Sequence, residues 1–151
     1  MSFLDSHIII SKCSLISKEW NELIIDMIKL SIDFNKIQFN DQKLHLMSKS
    51  KFKNCVVDLK IDYKNITELT NITQFEQLKS LDITSSEIGT AGARFISQLK
   101  HLTKLDIDFN NIGAEGAVFI GKMDQLTYLD ISGNNIRGEG VRYISVSRFA
   151  L

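Results

Sequence analysis

Three stretches of the chain, beginning at Leu78, Leu102 and Leu126, repeat one another at a spacing of 24 residues. They read LKSLDITSSEIGTAGARFISQLKH, LTKLDIDFNNIGAEGAVFIGKMDQ and LTYLDISGNNIRGEGVRYIS. A weaker copy of 22 residues, VVDLKIDYKNITELTNITQFEQ, begins at Val56. A unit this short cannot enclose an apolar interior by itself. Copies must stack and share one, and this limits the chain to a solenoid.

Each copy changes period halfway. Leu102, Leu105 and Ile107 are apolar while Lys104, Asp106 and Asp108 are polar. That alternation predicts a short strand with one buried face. Ala117, Ile120 and Met123 then recur at helical spacing, as Ala93, Ile96 and Leu99 do one copy earlier. One copy is therefore a strand, a turn and a short helix. Ser86, Asn110 and Asn134 share a register at the turn, where an asparagine can bond neighbouring backbone as the chain leaves the strand. Gly92, Gly116 and Gly140 share another, either for tight packing of the helix start on the next copy or for a positive φ. Their recurrence argues against a phosphate-cradling loop, since a catalytic loop occurs once.

The pattern L-x-x-L-x-I-x-x-N-x-I followed by G-x-x-G-A-x-x-I resembles the leucine-rich repeats of the ribonuclease-inhibitor-like class. Leu102, Leu105, Ile107, Asn110 and Ile112 match it, as do Leu126, Leu129, Ile131, Asn134 and Ile136. The copy at Leu78 carries Ser86 in the asparagine place. The resemblance implies an α/β solenoid, with parallel strands on the concave side and short helices on the convex side. It also implies a binding scaffold rather than a reaction.

Residues 1–53 are different and are expected to form a helical cap on the repeats of 54–151. Cys13, Ile16, Trp20, Leu23, Met27 and Leu30 fall at steps of three or four, predicting an amphipathic helix over about 6–29. Ile28, Leu30, Ile32 and Phe34 alternate as an irregular first strand would. Asn40 and Asp41 before Leu44 and Met47 predict a capped second helix. The stretch SFLDSHIIISKCSLISKEWNELI resembles the second half of an F-box through Phe3, Leu4, Leu15, Ile16, Lys18 and Trp20, with Ser17 where that family usually has cysteine. The opening leucine-proline segment and first helix, which supply much of the contact to a Skp-type adaptor, have no counterpart here. An F-box followed by leucine-rich repeats implies a substrate receptor of a ubiquitin ligase.

Composition narrows function further. Eighteen basic and eighteen acidic side chains balance, so whole-molecule attraction to nucleic acid or to a membrane surface is not expected. The two cysteines, Cys13 and Cys55, have no metal spacing and suit a reducing compartment, cytoplasmic or nuclear. The three histidines, His7, His45 and His101, form no zinc pattern. No nucleophile elbow, P-loop or dinucleotide fingerprint is present. No enzyme activity and no cofactor are expected.

What remains is the concave strand face. Alternation turns outward Asp58, Lys60, Asp62 and Tyr63, then Ser80, Asp82, Thr84 and Ser85. Lys104, Asp106, Asp108 and Phe109 follow, then Tyr128, Asp130, Ser132 and Gly133. Six aspartates face two lysines, with Asp82, Asp106 and Asp130 in one register. Two readings are open for these residues: solvated polar positions of the strands, or a surface that binds a protein partner through a basic segment, with Tyr63, Phe109 and Tyr128 as aromatic anchors. An alternative of another class is a regulator resembling the Ran GTPase-activating proteins, for which Asn111 and Arg137 lie in strand-to-helix loops. The third copy gives way to Val146-Ser147-Arg148-Phe149-Ala150-Leu151 without a polar capping unit. The expectation is a piece of a longer array, or a second chain over that end, with self-association of the isolated chain.

Overall fold

A computed structural model of the chain describes residues 29–33, 40–62 and 69–146. The expected helix over about 6–29, the F-box-like residues, Cys13 and Tyr63 lie outside the described residues, as does the side chain of Asp62.

The alternating segments form five strands: β1 (Leu30–Asp33), β2 (Val56–Asp62), β3 (Ser80–Thr84), β4 (Lys104–Asp106) and β5 (Tyr128–Asp130). They make one parallel sheet in chain order. The 24-residue period appears directly as strand register, with Leu81 beside Leu105 and Leu105 beside Leu129. Between strands the chain returns through α1 (Asp41–Lys49), then α2 (Gly89–Ile96), α3 (Gly113–Ile120) and α4 (Glu139–Val146). Asn40 caps α1, its Oδ1 accepting from the Lys43 N–H at 2.9 Å. The 22-residue copy is two residues short and returns through a 3₁₀ turn, Leu69–Gln74, instead of an α-helix.

The interior is a stack of like residues. Leu78 and Leu102, Leu81 and Leu105, Ile83 and Ile107, and Ile96 and Ile120 are all essentially inaccessible to solvent. Leu44 of α1 joins the same core, with Leu30, Ile32 and Met47 packed against it. Removing a leucine such as Leu105 to alanine would cost about 2–5 kcal/mol by the cavity rule. Cys55 is buried among these apolar groups, whereas His45 and His101 are exposed.

The turn registers divide two jobs between two sets of glycines. Gly92, Gly116 and Gly140 do not have positive φ; they serve close packing. A Cβ on Gly116 would sit 2.9 Å from the Ile112 Cβ and 3.3 Å from the Ala93 Cβ. The neighbours are the isoleucine four residues earlier in the same copy and, for Gly116 and Gly140, an alanine of the preceding copy rather than the next one. Positive φ falls instead at Gly89 and Gly113, and at Ser85, Glu87, Phe109 and Asn111. With left-handed residues alternating, the N–H groups of Ser86 and Ile88 turn to the same side.

Both are captured by one side chain. The Asn110 Oδ1 accepts from Ser86 N–H at 3.0 Å and Ile88 N–H at 3.4 Å, and its Nδ2 donates to the carbonyls of Ile83 and, at 2.9 Å, Asp108. Asn134 repeats the arrangement on Asn110 N–H (2.9 Å), Ile112 N–H (3.2 Å) and the Ile107 carbonyl (2.7 Å). Each asparagine therefore holds the turn of the copy before it. Hydroxyls stitch the other corner: Thr103 and Thr127 donate to the carbonyls of Lys79 and Thr103.

Asn110→Ala should lower stability by about 3 kcal/mol, since buried backbone groups lose partners at about 1–3 kcal/mol each. The exposed Leu46→Ala control should stay within about 0.5 kcal/mol. Urea unfolding of the two variants checks this; equal, small effects would contradict it.

Candidate functional site

Strand alternation buries leucine and isoleucine on the helix side and leaves the intervening residues on the open face. Cα register then sorts these into rows across the sheet. One row runs Asp33, Lys60, Asp82, Asp106, Asp130. The row beside it runs Ser31, Asp58, Ser80, Lys104, Tyr128. Asp62 pairs in register with Thr84 at the C-terminal end of β2. Asp108 and Phe109 lie just past β4, after Ile107. Of the residues expected to share this face, those within the strands, Asp58, Lys60, Ser80, Asp82, Thr84, Lys104, Asp106, Tyr128 and Asp130, are thus aligned in register.

Neighbouring strands in a sheet lie about 4.8 Å apart, so Asp82, Asp106 and Asp130 present three carboxylates at that interval. Their surroundings differ. Asp82 is committed at both oxygens: Lys60 Nζ lies 2.5 Å from Oδ2, and the Thr84 hydroxyl donates to Oδ1 at 3.1 Å. Asp130 accepts the Ser132 N–H at 3.0 Å, and this bond holds its carboxyl below the ordinary value of 3.8. Asp106 receives only a long 3.4 Å contact from the Asp108 N–H. Partial burial pushes its carboxyl above 3.8, and the charges of Asp82, Asp108 and Asp130 add to the rise. Asp108 is raised as well, by burial first and then by Asp130 and Asp82. One of its oxygens is buried with no hydrogen-bond partner. Among the described residues no cation closes on Asp106, Asp108 or Asp130, although Lys104 stands on the same face in the neighbouring row.

Two aromatic side chains bracket that region. Tyr128 is 50% exposed and lies two residues before Asp130 on the same strand face. Its phenol is raised by the Asp106 carboxylate above all. Phe109 is 62% exposed and lies over Gly133, where a Cβ would fall 2.6 Å from its ring. The bare glycine is what allows the ring to lie flat against the next copy. Phe109 itself has φ +51°, which orients it off the end of β4.

Sequence alternation identified the rows but not their pairing. It set Lys60 beside the aspartates without showing that Lys60 closes on Asp82, and it did not mark Ser132 as the donor to Asp130. Of the loop residues named for the GTPase-directed alternative, Asn111 accepts a hydrogen bond from the Asn135 side chain at 3.1 Å, and Arg137 is exposed. Among the described residues, no three histidine, cysteine or acidic side chains are grouped to hold a metal ion. No helix among them is long and apolar enough to cross a membrane.

The raised carboxyls make a pH prediction. A carboxyl whose folded value exceeds its unfolded one stabilises the fold below the unfolded value, and that contribution is lost as pH rises through the folded value. Asp106 and Asp108 thus weaken the neutral-pH protein, while Asp130 acts oppositely below 3.8. Asp106→Asn should be more stable than the parent by about 0.5 kcal/mol at neutral pH, the scale of like charges facing across strands. The gain should vanish near about pH 3, where the carboxyl is already neutral. Chemical denaturation at the two pH values reads both numbers; a gain that persists in acid would contradict the assignment.

Comparison with curated proteins and with solved structures finds no match. Comparison with protein families finds a leucine rich repeat over residues 76–136. That span runs from β3 to Ile136 and contains the three carboxylates, both aromatics and both turn asparagines. The face just described is accordingly the strand face of an α/β leucine-rich-repeat solenoid, a repeat type that serves as an interaction motif.

Proposed function

We propose that the chain binds a protein partner through this strand face, and that the partner presents a basic segment. The observation that carries the reading is the coincidence of unneutralised carboxylates with exposed aromatics at β4–β5. Elsewhere among the described residues the large exposed apolar side chains are Leu46, Val141 and Tyr143, none of them in the aspartate row. Aromatic groups supply apolar area at little conformational cost, and opposite charge steers and orients an arriving segment. Asp58, Thr84 and Lys104 border the contact.

The more specific reading is a substrate-recruiting receptor of a ubiquitin ligase. It is supported by the F-box-like residues from Phe3 to Trp20 preceding the repeats. In that case the basic segment belongs to the recruited substrate, and a Skp-type adaptor meets the N-terminal segment. Self-association is supported by a separate feature. Leu129 and Ile136 are only half-buried where Leu105 and Ile112 are fully enclosed, and Val141 is 38% exposed where Ala117 is buried.

Affinity purification of the tagged full chain tests the reading. Asp106→Lys combined with Asp130→Lys should abolish capture of the partner, and Phe109→Ala or Tyr128→Ala should each weaken it by about tenfold. A capture list containing a Skp-type adaptor and a cullin supports the ligase version; a small GTPase would replace it with the alternative. Capture indifferent to the charge reversal would remove this face from the account.

A further inference from the structure

Lys60 is the one cation in the aspartate row. In register it stands between Asp33 and Asp82, and its ammonium reaches across to the Asp82 carboxylate. The pair is on the open face, with the Lys60 side chain 44% exposed and that of Asp82 22% exposed. An exposed pair of this kind is worth about 0.2–1 kcal/mol, so it is exchangeable rather than locked. The ammonium satisfies the same carboxylate row that a basic partner would address. Beyond it, among the described residues, no cation closes on Asp106 or Asp130, and the exposed rings of Tyr128 and Phe109 belong to the same β4–β5 stretch.

From this arrangement we infer that Lys60 is a specificity-determining residue: an internal counterion that occupies Asp82 in place of a partner's cation and confines a docked basic segment to β4 and β5. The inference rests on the proposed docking of a basic segment on this face. It has a consequence opposite to that of an ordinary contact residue. Removing Lys60 should free Asp82, lengthen the unneutralised row from two carboxylates to three, and strengthen binding. The free row would then span two strand intervals, about 9.6 Å at 4.8 Å each, within reach of basic side chains at alternate positions of an extended segment.

Lys104 supplies the control. It lies on the same face with the same charge, but its register neighbours are Ser80 and Tyr128, not carboxylates. A general change of net charge would act equally at both lysines; displacement of a specific counterion would not.

The experiment is a calorimetric titration of the full chain with an acetylated, amidated peptide of alternating glycine and arginine carrying three arginines. The same peptide with citrulline in place of arginine serves as the neutral reference. The parent protein should bind the arginine peptide and not the citrulline one, and Asp106→Asn with Asp130→Asn should abolish binding. Lys60→Met should tighten binding by at least about threefold, the scale of one exposed ion pair, and by clearly more than Lys104→Met. Thermal unfolding of each variant, with Lys60→Gln as a second substitution, verifies that the fold is kept. Binding that is sensitive to Asp106 and Asp130 but unchanged or weakened in both Lys60 variants would overturn the counterion role alone. Equal gains at Lys60 and Lys104 would overturn it too. No binding of the arginine peptide by any form would overturn the docking reading and this inference together.

Discussion

The side-chain amide of asparagine holds this fold in register. A short strand, such as β3 with five residues or β4 with three, must turn away while its backbone groups still need partners. Asn110 and Asn134 meet that need from one copy ahead, each with an oxygen on two N–H groups and a nitrogen on carbonyls. The bonds cross from copy to copy at offsets of 22, 24 and 27 residues. The leucines and isoleucines supply most of the free energy by leaving water. The asparagines decide which leucine faces which, because a slip of one residue would leave buried amides without partners.

That register is what makes the open face chemical. Since like residues fall opposite like residues, aspartate at one position of each copy becomes a row of carboxylates. Repetition of sequence is thereby converted into concentrated charge. The row is mildly destabilising to the fold that carries it, and burial of Asp106 and Asp108 adds to the strain on their ionised forms. Lys60 relieves one end and the Ser132 amide another. On the function proposed above, the cost of this surface in isolation is offset when a positively charged segment meets it.

Much of this was legible from period alone. The change from a two-residue to a three-and-a-half-residue rhythm located strands and helices. The 24-residue spacing fixed strand order, and Asn40 before Asp41 marked the start of α1. The aspartate row followed from alternation. Other features were not legible because they depend on contacts across copies. Glycine type does not say whether a position needs a positive φ or a missing Cβ; Gly113 and Gly116, three residues apart, serve these two different ends. Nor does the sequence show that Asn110 reaches backward rather than forward. The closure of Lys60 on Asp82 required the register of two strands from copies of unequal length, 22 and 24 residues, which no single-period alignment provides.

The central claim is that neighbouring copies are joined through turn amides bonded to the asparagine of the following copy. Native-state hydrogen exchange tests it most directly. The account predicts that the amide protons of Ser86, Asn110 and Ile112 exchange only through global unfolding, as slowly as those of Leu105 and Ile107 in the sheet. Exchange at these turn amides as fast as at the exposed Asn111 or Asn135 loop positions would contradict it.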